Sequence, residues 1–386
     1  MVTFNETTFE KIPFVKLEFD NSLVGAPTEQ PYRVLILGTI AGGSTLKDQP
    51  LRVISSADAL TKYGTSELAD TCAYYLARNK SIPLFAFDFP AAATAEQVKV
   101  RLQELRKYGQ FNLIVSQWSD ASTLKVLADF YDEQGRADTG QDGVVIAGIL
   151  DTYANLINFT TANKISYKYL CIIASPIVIQ GRDEQDVEVG LPGQFLAAAL
   201  AASIATEAQK DPARPFNGLK ISIPPYDPAR GFSREELNSL VATGLSVYSL
   251  SFTEEPLIET LVTTWTKDAQ GLPDESFSNL NTMLISSYLR YSFVSFFQKK
   301  YVSRRYKLAE DSVLVPPGAP ILQPKTAKAE AINLFTEWEE RGLVENSKVF
   351  TESLRVEKRD KYLLFSFSTD YIDQLIGIAG KLSLVR

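Results

Sequence analysis

The chain has 386 residues, 45% of them apolar and 22% charged, with a formal net charge of −7 and no histidine. This length accommodates about two or three domains of ordinary soluble composition. The negative balance disfavours wholesale binding to nucleic acid or acidic membranes. The missing histidine removes the commonest general base, the usual transition-metal ligand and the triads that depend on it. The N-terminus alternates polar and apolar residues where a signal peptide would build an apolar run. The longest apolar run, residues 195–205, is too short and too alanine-rich to span a bilayer. Cys72 and Cys171 lack metal-site spacing and read as small buried hydrophobes in a reducing compartment rather than a disulfide.

Residues 1–31 read as an arm. A strand is expected over 12–20, with Phe14 followed by Val15, Leu17 and Phe19 on one face, and then an extended linker over 21–31 containing Gly25, Pro27 and Pro31. From 32 to 251 the pattern becomes α/β, which implies a sheet with helices on its faces. Strands are expected at 33–38, 84–89, 112–116, 143–149, 169–173 and 246–250. Helices are expected at 56–63, 66–79, 95–107, 121–134, 152–163, 192–210 and 233–243. In the helix at 192–210, Leu196, Leu200 and Ile204 lie among alanines, which implies close packing against a neighbour.

A third unit is expected over residues 252–380, opening with a strand at 258–264. One long helix follows at 277–306, with Leu280, Leu284, Ser287, Tyr291 and Val294 on one face. Residues 313–324 hold four prolines and read as extended. A helix over 326–341 carries Ile332, Phe335 and Trp338 and ends at Gly342. Two strands are expected at 350–359 and 363–367. In the first, Phe350, Leu354 and Val356 share a side; in the second, Leu363, Phe365 and Phe367 alternate with Leu364, Ser366 and Ser368. A helix capped by Thr369 or Asp370 carries Ile372, Leu375, Ile376 and Ala379. The chain ends in a six-residue strand pattern at 381–386. That strand needs a neighbour: it either folds back beside residues 363–367 or lies along a sheet edge in another copy.

Candidate chemistry is sparse. Residues 38–45, with Gly38, Gly42 and Gly43, follow a strand, but Ser44 stands where a phosphate loop needs lysine, and the dinucleotide glycine spacing is absent. A turn explains the glycines. Residues 298–307 interleave five basic residues with two tyrosines. This suits nucleic acid, a helix C-terminus or an acidic protein surface. Glu339-Glu340, Glu254-Glu255 and residues 183–186 read as solvated acidic groups. Ser175-Pro176 lacks nucleophile-elbow spacing. No catalytic, cofactor-binding or metal-ligating residue is assigned.

Several blocks, taken in order, carry a family likeness. They are residues 15–22 ahead of a glycine-containing linker and 33–38; residues 198–208 leading into Asp211-Pro212-Ala213-Arg214-Pro215; and residues 263–276. They continue with Leu289-Arg290-Tyr291 in the long helix, then Lys307-Leu308-Ala309, Phe335-Thr336-Glu337-Trp338-Glu339 and Gly342-Leu343-Val344-Glu345. In order and spacing the chain resembles contractile phage tail sheath proteins of the Mu-like type over nearly its whole length. It is shorter than many of them, which implies reduced outer decoration.

The resemblance implies a multidomain α/β architecture, α+β in the C-terminal domain, with extended strand-exchange arms at both ends. The divisions are then an arm over 1–31, an outer domain over 32–251, an inner domain over 252–380 and an exchanged strand over 381–386. It implies a non-enzymatic, helical homo-oligomer around a tail tube, with tube, baseplate and tail terminator proteins as partners. It implies no cofactor, specific nucleic acid or membrane insertion. Location would be the virion tail, after assembly in the host cytoplasm. Carried over, Phe14, Val15, Leu17 and Phe19 donate the N-terminal strand. Leu382, Leu384 and Val385 donate the C-terminal one. The acceptor sheet holds Leu354, Val356, Leu363, Phe365 and Phe367. Lys299, Lys300, Arg304, Arg305 and Lys307 are the candidate tube contact. The alternatives are an α/β enzyme binding a small ligand at the strand ends, with residues 38–45 its best claim, and an oligomeric scaffold unrelated to tails.

Overall fold

The structure, a computed structural model, describes residues 30–182, 188–376 and 380–381. The expected strand at 12–20 and residues 382–386 of the expected last strand lie outside the described residues.

The α/β alternation is present. In chain order it comprises β1 (Val34–Thr39), β2 (Leu51–Val53), α1 (Ser56–Tyr63), α2 (Glu67–Leu76), β3 (Leu84–Phe89), α3 (Ala95–Leu102), β4 (Leu113–Ser116) and α4 (Ala121–Gln134). Then come β5 (Val144–Leu150), α5 (Tyr153–Asn163), β6 (Leu170–Ser175), the hairpin of β7 (Ile179–Arg182) and β8 (Glu188–Gly190), α6 (Gly193–Lys210), α7 (Arg234–Ala242), β9 (Leu245–Leu250) and β10 (Pro256–Thr260). Ser55, Ser66, Thr94, Asp120, Thr152 and Ser233 each accept a first-turn N–H, which is why these helices begin where they do.

Eight strands form one sheet in the order β10-β9-β6-β5-β4-β1-β3-β2. The neighbours from β3 to β9 run parallel, and the edge strands β2 and β10 run antiparallel. Continuous apolar runs such as Val34-Leu35-Ile36-Leu37, fully buried, suit parallel strands covered on both faces. The α6 alanines allow the close approach expected of them: Ala197, Ala198, Ala199 and Ala201 are fully buried.

The strand expected to open the third unit is displaced. It lies at Pro256–Thr260 and pairs with β9 as the last strand of the large sheet. Residues 219–221 cover its outer side through main-chain bonds to Pro256 and Ile258. The second body begins with α8 (Leu280–Phe297), shorter than the expected 277–306 and continued by a π turn over Gln298–Val302. Leu280, Met283 and Leu284 belong to the first core, whereas Ile285, Tyr288, Leu289, Phe293 and Phe297 belong to the second. This shared burial leaves α8 apolar on most sides, with Tyr291 and Val294 only half-buried.

Further along are β11 (Lys307–Leu308), β12 (Ile321–Leu322), α9 (Pro324–Glu340), β13 (Val344–Glu345), α10 (Ser347–Ser353), β14 (Arg355–Arg359), β15 (Tyr362–Ser366) and β16 (Asp370–Tyr371). Two expectations are overturned here. Phe350 lies on α10, not on a strand; its four-residue spacing from Leu354 fits a helix as well as a strand, and contact with Phe335 at 4.2 Å draws it inward. Residues 369–376 do not form a helix. Tyr371 instead pairs with Val344, and its hydroxyl meets Ser286 at 2.8 Å. Leu375 and Ile376, the apolar face of the expected helix, are exposed.

Candidate assembly surfaces

Arg290 on α8 locks the two bodies together. It is 5% exposed, its guanidinium lies 3.3 Å from Asp142 Oδ1, and it donates to the Gly135 and Arg136 carbonyls just after α4. Asp142 Oδ1 also accepts from the Tyr169 hydroxyl at 3.0 Å. Burial pushes the Asp142 carboxyl up, and Arg290 opposes that push. The mid-helix position of the Leu289-Arg290-Tyr291 block therefore serves packing between the sheet and α8.

The β14–β15 hairpin forms a two-stranded sheet of its own. It pairs Val356 with Phe365 and Lys358 with Leu363 on one face. That face rests on aromatic rings: Phe365 lies 5.2 Å from Phe293 and 4.9 Å from Phe297, and Phe367 lies 5.2 Å from Phe350. Leu354, fully buried, precedes the hairpin as the cap of α10. The Ser353 hydroxyl accepts from Ser368 N at 2.8 Å and closes the hairpin base. Trp338 Nε1 donates to Ser292 at 3.2 Å, tying α9 to the α8 floor. The five expected acceptor residues are thus gathered in one place. On the other face, Leu364 is buried. Among the described residues the hairpin has two strands only, so neither outer edge has a strand partner. A bare hairpin is marginal in water and needs a third strand or a packed helix, and open edges invite pairing.

The basic group surrounds the end of α8. Lys299, Arg304, Arg305 and Lys307 are exposed. Lys300 differs: its ammonium pairs with Glu330 at 2.7 Å and lies 4.9 Å from the Phe296 ring centroid. Tyr301 donates to the same carboxylate at 2.8 Å. Lys300 therefore joins α8 to α9.

The donor residues Phe14, Val15, Leu17, Phe19, Leu382, Leu384 and Val385 lie outside the described residues. Beyond β16 the chain crosses toward the start of α8, where Gln374 accepts from Asn279 at 2.9 Å.

The loop after β1 has no phosphate-loop geometry. Gly43 sits at φ 83°, where glycine is favoured. Farther on, Lys47 N donates to both Asp88 oxygens, and Arg101 pairs with that carboxylate at 2.9 Å. A crevice of about 440 Å³ opens at the carboxyl ends of β1 and β4, where the strand order reverses. Its polar lining is self-paired. Gln117 accepts from Thr39 N at 2.6 Å and donates to Glu67. Glu67 places negative charge on the first turn of α2, where an anion would otherwise be welcome. Cys72 and Cys171 are buried free thiols, and burial pushes Cys171 up to about 12.

No protein-family model matches the chain. It is 30% identical over 250 residues, 64% of its length, to the Mu-like prophage FluMu tail sheath protein of Haemophilus influenzae. That match covers 48% of the relative, so the chain spans about half the length of the curated relative it matches. Solved structures agree over nearly the whole fold. The sheath complex of an extracellular contractile injection system, PVC, in its contracted state gives a TM-score of 0.62 at 12% identity, covering 98% of each chain. A sheath tail protein from Desulfitobacterium hafniense gives 0.61 at 12% identity, covering 95% of this chain and 97% of that one. The contracted helical sheath of the anti-feeding prophage gives 0.61 at 11% identity, covering 98% and 99%. The chain therefore has the contractile-tail sheath fold and is a sequence relative of a Mu-like prophage tail sheath protein.

Proposed function

We propose that this chain is the structural subunit of a contractile phage-type tail sheath, a helical sleeve of identical copies around a tail tube. Its contraction drives the tube through a host envelope. Residues 12–20 and 381–386 are the donated strands, and the β14–β15 hairpin of a neighbouring copy receives them. The observation that carries this reading is the hairpin itself: two strands on an aromatic floor, with no strand on either outer edge among the described residues.

Backbone pairing suits a machine that moves without falling apart. Each ladder bond contributes about 0.5–1.5 kcal/mol net, so two short strands add several kcal/mol per subunit before the cost of ordering them. Those bonds persist while the tethers at 21–31 and 377–380 change angle and the bodies rotate. The energy is conformational, and no nucleotide, metal or catalytic step is called for. Baseplate and terminator proteins would hold the extended state at its two ends. The particle would assemble in the host cytoplasm and reside in the virion tail.

Purified full-length protein should form long striated tubes in negative stain. Deleting residues 381–386 should leave a monomer with unchanged circular dichroism that no longer sediments as polymer. Normal tubes from the truncated chain would sink the exchange assignment. Small closed particles from the full-length chain would favour a scaffold unrelated to tails.

A further inference from the structure

Three polar side chains converge where the root of the N-terminal arm meets the sheet and α8. Tyr32, Asn112 and Asp142 are 5%, 3% and 3% exposed. They line one cavity of about 10 Å³, together with Gln30, Tyr169 and Ser287. The Tyr32 hydroxyl, Asn112 Nδ2 and Asp142 Oδ2 are buried without a hydrogen-bond partner among the described residues, as is the hydroxyl of Tyr75, which acts on Tyr32 from outside the cavity lining. An unmade bond at each of three buried groups is costly, so their collection at one cavity calls for a shared ligand.

The orientation of each group is fixed by what its other atoms do. Arg33 N donates to Asn112 Oδ1 at 2.9 Å, so Nδ2 is the end that faces the cavity, as a donor. Asp142 Oδ1 is taken by Tyr169 and Arg290, which leaves Oδ2 as an acceptor when the carboxyl is ionised. Tyr32 stays neutral because burial pushes its hydroxyl far up, and it can donate or accept. The ligand must therefore accept from an amide N–H and donate to a carboxylate oxygen. It must also be small, since such a volume holds about one water. A metal cation fails on the first count, because the amide N–H and the nearby Arg290 guanidinium would repel it.

We propose that one water molecule is built into this joint, accepting from Asn112 Nδ2, donating to Asp142 Oδ2 and completing its shell on the Tyr32 hydroxyl. Its walls come from three parts of the chain: the arm root at Gln30 and Tyr32, the strand starts at Asn112 and Asp142, and α8 at Ser287. Gln30 Nε2 lies 3.4 Å from Ser287 Oγ, and Gln110 Nε2 donates to the same oxygen at 2.9 Å, so the cavity is ringed by polar contacts. The arm root is thereby fastened through an exchangeable bridge at a polar joint. This inference stands apart from the assembly reading.

The test is a density map of the full-length chain at a resolution that orders internal waters, beside the same map for Tyr32→Phe. A single peak within hydrogen-bond distance of all three atoms is expected, lost or displaced in the variant. Amide exchange at Arg33 should be roughly twofold to tenfold faster in Tyr32→Phe, because Asn112 then holds Arg33 less firmly. No peak in the wild-type map overturns the proposal. So does a side chain from residues 1–29 filling the cavity. A peak with short contacts to oxygens alone, avoiding Asn112 Nδ2, would make it a cation site and overturn it too.

Discussion

At Gly148 the backbone of β5 meets the first turn of α6. A Cβ added there would lie 2.3 Å from the Gly193 carbonyl oxygen, and one added at Gly193 would lie 2.2 Å from that of Gly148. Neither obstacle is a flexible side-chain end, so the helix would have to lift from the sheet. Gly148→Ala should destabilise the chain by about 1–3 kcal/mol, the usual cost of overpacking. The denaturation midpoint should fall with an unchanged slope, and an unshifted midpoint would mean that α6 is less tightly seated. The alanines of α6 made close packing legible in the sequence, because small side chains in a helix that buries most of its surface have few other uses. The glycine pair was not legible: the contact joins residues 45 positions apart, and Gly148 lies inside an apolar strand run that reads complete without it.

The elements that sequence periodicity placed well are those whose burial is one-sided or complete. α1, β3 and α4 fall on their expected bounds because a capping Ser or Asp precedes each helix and β3 is a compact apolar run. The misplaced elements owe their state to distant partners. Asp370-Tyr371 is drawn into a ladder with Val344-Glu345, and β10 is claimed by the large sheet. α8 depends on a distant partner most directly, through the buried Arg290–Asp142 pair. Removing one member of such a pair strands the other, at a cost of about 3–5 kcal/mol. Arg290→Leu should therefore separate the unfolding of the two bodies or lower a single transition by that amount. The pH dependence has a definite sign. Asp142 is held above the ordinary carboxylate range by burial, so ionising it works against the folded state. That penalty is absent below the unfolded carboxylate pKa of about 4 and is imposed as pH rises through the higher folded value. Without Arg290 to offset it, the penalty grows. The stability gap between wild type and Arg290→Leu should accordingly be widest near neutral pH and shrink in acid. A gap that does not change with pH would show that the guanidinium acts through the Gly135 and Arg136 carbonyls alone.

For the whole molecule, the sheath likeness was legible in the order of weakly specific blocks, while which of the basic residues near the end of α8 are held in an internal pair was not. An exposed basic residue and one held in an ion pair look alike in a sequence, and here Lys300, half-exposed, pairs with Glu330 while Lys299, Arg304, Arg305 and Lys307 face out. This separates two experiments that the charge count alone would merge. Under the proposed function, a sleeve that must slide on its tube needs a polar, moderate contact, and exposed cations meet that need because their attraction is weak and screened. Reversing Lys299, Arg304, Arg305 and Lys307 to Glu should abolish co-sedimentation with purified tube while tube-free polymers still form. Salt raised to about 1 M should imitate the loss, since the screening length then falls to roughly 3 Å. Lys300→Glu alone should behave differently. It sets two carboxylates side by side at the α8–α9 junction, so it should lower the melting temperature before it affects tube binding. If the fourfold reversal instead stops polymers from forming without any tube, these residues join one subunit to the next, and the tube must be gripped elsewhere.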